Sequence, residues 1–117
     1  MKLSLTLLLT LLAAYAFVVV CWVLFLAVMS LSAHRHTMGP VAKAHAYALL
    51  AVALVFDAVL NAVVGTVIFL DPPRDWTLTK RLQHYLRDPQ AKLWRIKLAR
   101  WICTRLLDPF SPSGRHC

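Results

Sequence analysis

From Leu3 to Ala33 the chain runs for 31 residues without one charged side chain. No other feature limits the possible folds so strongly. A helix crosses the hydrocarbon core of a bilayer with about 20 residues, at about 1.5 Å per residue. A stretch this apolar and this long therefore reads as a membrane-spanning helix, placed near Leu5–Met29 and long enough to tilt or to reach into the headgroups. A secretory signal peptide is the competing reading. Lys2 would be its charged start, Leu3–Leu12 its apolar centre and Ala14-Tyr15-Ala16 a small-x-small cleavage site. Against it, Phe17–Met29 continues the apolar run, so cleavage would leave a chain that still begins with an apolar segment.

A polar connection follows at 30–46, punctuated by Gly39-Pro40, which should break a helix. The next 24 residues, Tyr47–Leu70, form a second span. Asp57 lies near its middle, with Asn61 and Gly65 following at four-residue steps, and Asp71-Pro72-Pro73 ends it. Two spans joined by so short a connection are expected to pair as an antiparallel hairpin over residues 1–70.

Sixty per cent of the 117 residues are apolar and 15 per cent charged, and the charge is concentrated after the second span. From Asp71 to Cys117 there are ten Lys/Arg and four Asp, a net +6 of the total +8, and glutamate is absent throughout. Asp75 or Thr77 can cap a helix over about 76–88, in which Leu78, Leu82, Tyr85 and Leu86 make an apolar stripe. Asp88-Pro89 reads as the start of another, over about 89–107. That helix carries two apolar stripes, Trp94-Leu98-Trp101-Ile102 and Leu93-Ile96-Cys103-Leu107, and the residues alone do not decide which faces lipid. Ser111–Cys117 is expected to be disordered. Positive residues near span ends are retained in the cytoplasm. Arg74, Lys80, Arg81 and Arg87 outweigh Arg35 and Lys43 of the connection, which puts both termini inside. Cys103 and Cys117 would then lie in a reducing compartment as free thiols.

Several features bear on function. An Asp at the centre of a span costs about 2.5–3.5 kcal/mol on insertion scales. Asp57, Asn61 and Gly65 therefore read either as an ion path or pore face, or as a polar stripe that glues helices or identical chains together, with Ala58, Ala62 and Thr66 allowing close approach. The tail residues Trp76, Lys80, Arg81, Trp94, Arg95, Lys97, Arg100 and Trp101 suit three roles. They can lie at headgroup level on an anionic leaflet, dock on a protein partner, or follow a nucleic-acid backbone. No nucleic-acid motif supports the last. His34, His36 and His45 stand near the connection without a carboxylate or thiol beside them, and solvated loop histidines explain them better than a metal site. No cofactor or metal is expected. Neither a nucleophile elbow, a carboxylate pair nor a Gly-rich phosphate loop is present, so no enzymatic activity is expected.

The runs Leu70–Thr79 (LDPPRDWTLT) and Leu107–Cys117 (LDPFSPSGRHC) resemble small membrane proteins of tailed phages and prophages of proteobacteria. The resemblance covers about 40 residues of tail and implies a phage or prophage origin without an assigned activity. The architecture is also similar to two-span holins, which permeabilise the inner membrane. This tail, with three tryptophans and two expected helices, is longer than a holin requires. The sequence thus predicts an all-α membrane protein: a two-helix transmembrane hairpin followed by a basic tail, 71–117, with cytoplasmic amphipathic helices. It is expected to sit in the bacterial inner membrane and to act by binding the anionic inner leaflet and a protein partner or a second copy. A holin-like pore former and a membrane tether for nucleic acid are the alternatives.

Overall fold

A computed structural model describes all residues, 1–117. The protein is all-helical, with no strand. Helix α1 is Lys2–Ala33 and helix α2 is Pro40–Phe69, both long and apolar enough to cross a membrane. Helix α1 extends past the expected span at both ends, and α2 begins before it but ends at Phe69, short of Leu70. Gly39-Pro40 starts α2 instead of interrupting it: Gly39 is extended and Pro40 occupies the first turn, where its missing N–H costs nothing. The connection shrinks to the six residues 34–39. The two helices touch where Phe17 stacks on Phe56 at 5.8 Å between ring centres and the Cys21 thiol faces the Phe56 carbonyl. Residues 1–16 are exposed all round. An exposed apolar surface of this extent is of the kind that marks a membrane or protein contact.

Helix α2 is regular to Leu60, widens into a π-helical turn at Asn61–Gly65, and closes with Thr66–Phe69. Leu70 then adopts a left-handed conformation (φ 50°), and Pro72-Pro73 prevents continuation.

Two short helices follow, α3 at Leu78–Arg87 and α4 at Leu93–Ile102. The latter runs into a π-helical turn, Cys103–Leu107, and a 3-10 turn, Asp108–Phe110. Thr77 caps α3, accepting from the Lys80 amide at 3.3 Å. Asp88-Pro89 does not start α4. The Asp88 carboxylate accepts instead from the Gln90 amide at 2.9 Å, an Asx turn that delays the helix to Leu93.

The buried core lies where the tail meets the long helices. Phe69 of α2, Leu82 and Tyr85 of α3, Ala99 of α4, and Cys103 and Leu107 form it, with Phe25 of α1 packed against it. Phe69 and Tyr85 lie 4.7 Å apart, ring centre to ring centre. From α1, the Trp22 indole donates to the Leu106 carbonyl at 2.9 Å and meets the Phe110 ring edge-on.

The end of the chain departs from expectation. Ser111–Cys117 is folded, and Cys103 and Cys117 form a disulfide across 14 residues in place of free thiols. The local cause is Asp108. Its carboxylate accepts from the amides of His116 (2.6 Å) and Cys117 (3.2 Å), turning the chain back until the two Cα atoms stand 6.0 Å apart. That separation is within disulfide range. His116 is then held between Thr79, 2.9 Å from its Nε2, and the Phe25 ring.

Candidate functional site

The polar stripe of α2 and the basic tail, separate in the sequence, meet in one site. Asp57 sits one face-turn before Asn61, and Gly65 one after it, as four-residue spacing on a helix requires. Asp57 Oδ1 accepts from the amide of Leu78, the first residue of α3, at 3.1 Å. A carboxylate on a long helix thereby caps the start of a helix 21 residues later. Asn61 is buried; its Nδ2 donates to the Asp75 carbonyl and its Oδ1 accepts from Arg81 Nε.

Arg81 is the centre of the site and only 3% exposed. Its guanidinium donates from Nη2 to the Asn61 carbonyl (3.2 Å) and Thr66 Oγ1 (3.4 Å). From Nη1 it donates to the carbonyls of Asp71 (3.0 Å) and Gly65 (3.4 Å) and to the Tyr85 hydroxyl (3.4 Å). A fork of fixed donors suits this set of oxygens; a lysine ammonium would not reach them together. Two of the oxygens are backbone carbonyls of the π-helical turn. Gly65 is needed for the approach, since a Cβ there would stand 3.1 Å from Arg81 Nε and 3.3 Å from Asn61 Oδ1.

Tyr85 closes the ring by donating to Asp71 Oδ2 at 2.8 Å, and Arg74 pairs with the same oxygen at 3.1 Å. Burial acts to raise the Asp71 carboxyl, but the hydrogen bonds from Tyr85 and Arg74 outweigh it and hold its pKa below the ordinary carboxylate value. Burial first, and then the bond to Asp71, push the Tyr85 phenol up. Burial holds the His116 imidazole below its ordinary value, against the opposing pull of Asp108 and Asp57.

Arg95 makes a second tie. It donates to the carbonyls of Phe69 (2.8 Å) and Leu70 (2.9 Å), the unpaired acceptors at the end of α2, and stacks over Trp94. Arg81 and Arg95, expected at the leaflet or partner surface, are thus engaged within the chain, because each meets backbone carbonyls that α2 leaves open. The remaining residues of the expected set are exposed: Trp76 in the linker, Lys80 on α3, and Trp94, Lys97, Arg100 and Trp101 on α4. The inward face of α4 cuts across both expected stripes. Cys103 and Leu107 of one stripe turn inward, but its Leu93 is exposed; Leu98 and Ile102 of the other pack against the core beside buried Ala99, while its Trp94 and Trp101 turn outward.

Tyr85, Asp71 and His116 belong to the site but were not singled out from sequence. Tyr85 lies four residues after Arg81, and that spacing was the one available signal. The arrangement brings together no group of three or more metal-ligating side chains. What it can do is hold the tail against the long helices. No known protein family, curated protein or solved structure matches the chain.

Proposed function

We propose that the chain is an integral inner-membrane protein of phage or prophage type that acts by binding, without catalysis. The two long helices cross the bilayer as a hairpin with both termini in the cytoplasm. The tail presents Trp94, Lys97, Arg100 and Trp101 to the anionic leaflet and to a protein partner. One observation carries this reading: the polar stripe of α2 is already filled by the chain's own Arg81. The outward face of α4 is therefore a polar and aromatic surface left without a partner, and tryptophan with basic residues is the composition that headgroups select.

The test uses the full chain reconstituted in phosphatidylcholine bilayers with and without phosphatidylglycerol, with brominated acyl chains to quench tryptophan. Stronger quenching in the anionic bilayer, removed by Lys97→Gln/Arg100→Gln, is expected. Equal quenching in both would overturn the leaflet contact. Expression in bacteria separates the holin-like alternative. With the stripe occupied, growth and membrane potential should stay normal, and abrupt depolarisation would return Asp57, Asn61 and Gly65 to the wall of a pore.

A second reading of orientation rests on the Cys103–Cys117 bond. Disulfides persist in oxidising compartments. The bond therefore favours a tail outside the cytoplasm, whereas the charge balance favours one inside. Alkaline phosphatase fused after Cys117 decides: an inactive fusion supports the cytoplasmic tail, an active one the opposite.

A further inference from the structure

At the connected end, α1 and α2 do not close on each other. An open groove of about 520 Å³ lies between them, within the range of ligand sites. Val28 of α1 and Tyr47 and Leu50 of α2 line its apolar part, and Arg35, His36 and Lys43 stand at its mouth. Arg35 and Lys43 are exposed and in no ion pair. Arg35 uses only Nε, toward His36 Nε2 at 3.4 Å, which leaves both terminal nitrogens of its guanidinium free. The nearest acidic residue in sequence is Asp57, 14 positions beyond Lys43.

We infer that this groove binds one anionic phospholipid, its phosphate at Arg35 and Lys43 and one acyl chain between α1 and α2. The assignment follows from the match of charge and polarity. A monoanionic phosphate between two unpaired cations gains charge-assisted hydrogen bonds. Arginine meets a phosphate as a planar fork and lysine as a point charge, so the two together suit such a headgroup. The apolar part below accepts a hydrocarbon chain and no charged ligand. A free phosphate would satisfy the mouth and leave the groove unfilled. This site is separate from the tryptophan face of α4, though it rests on the same membrane reading.

Native mass spectrometry of the full chain, released from detergent, tests it with dioctanoyl phosphatidylglycerol and dioctanoyl phosphatidylcholine. A single phosphatidylglycerol retained about 10-fold more tightly than phosphatidylcholine is expected, equivalent to about 1.4 kcal/mol. Arg35→Gln/Lys43→Gln should remove the preference, and both side chains are exposed, so the fold tolerates the change. Ala46→Trp, which keeps the charges and fills the groove, should abolish retention of the lipid. Lys97→Gln/Arg100→Gln should leave it unchanged, and glycerol phosphate in excess should not compete. Equal retention of both lipids, retention by Ala46→Trp, loss only in the tail variant, or displacement by glycerol phosphate would each overturn the site. Resistance of the chain to alkaline extraction from membranes reports on the membrane reading separately. A chain that resists extraction yet retains no lipid selectively rejects this site alone.

Discussion

Arg81 shows how much one side chain is asked to do. Six oxygens from five residues surround its guanidinium. A buried acceptor left unpaired costs about 1–3 kcal/mol. Arg81→Leu should therefore loosen the tail by at least about 3 kcal/mol, read as a lower urea midpoint for protection of its Lys/Arg bonds from trypsin. Arg81→Lys should be only partly tolerated, since a single ammonium cannot reproduce the fork. Gly65→Ala acts on the same contact from the other side. It forces the guanidinium or Asn61 to shift, and an overpacked site costs about 1–3 kcal/mol by the same protease assay. Acid should weaken the tail in two steps. His116 and Asp71 both have folded values below their ordinary ones, so each binds protons more readily when unfolded. The stability that each contributes is complete above its unfolded value and falls as pH drops toward its folded value. Tail protection should decline first below about pH 6.5 and again below about pH 4. A pH-independent urea midpoint between 7 and 5 would contradict the His116 contribution.

Among the elements, what was legible in the sequence is what depends on local rules. An uninterrupted apolar run makes α1, paired prolines end α2, and Thr77 caps α3. Boundaries set by tertiary contacts were not legible. Pro40 reads as a breaker, yet it stands as well at the start of a helix as after one, and only the preceding Gly39 conformation distinguishes the two. Asp88-Pro89 fits a helix start by type, but the Asx turn takes the carboxylate. The same limit hid the disulfide, because a spacing of 14 has no signature until Asp108 folds the end back. Loss of that cross-link should cost about 3 kcal/mol for a loop of about 15 residues. Cys103→Ser should match dithiothreitol treatment of the native chain in its effect on the tail. Alkylation under denaturing, non-reducing conditions should modify Cys21 alone.

At the scale of the whole molecule, the polar stripe and the tail are parts of one contact surface. Asp57, Asn61 and Gly65 are recognisable in the sequence as a polar stripe on one face of an apolar helix, to be read either as a pore face or as a surface that packs on other helices. The partner was not recognisable, because 20 residues separate Asn61 from Arg81 and no local pattern links them. The tail is accordingly no free appendage: its core includes Phe69 and rests on Phe25. Asp57→Leu should leave insertion intact and raise the exposure of α3 by removing the acceptor for the Leu78 amide, at about 1 kcal/mol. Asp57→Asn, which keeps an acceptor, should be close to native. Hydrogen exchange at the Leu78 amide measures both.

The contact between Asp57 and Leu78 also has a consequence for the order of assembly. Synthesis proceeds from the amino terminus, so α2 is made before either Leu78 or Arg81 exists. Until the tail folds back, the side chains of Asp57 and Asn61 are unserved, and a neighbouring helix offering a donor can bind them instead. A chain truncated before Leu78 is held at that stage, with its stripe open to other proteins, and only the folded tail closes it.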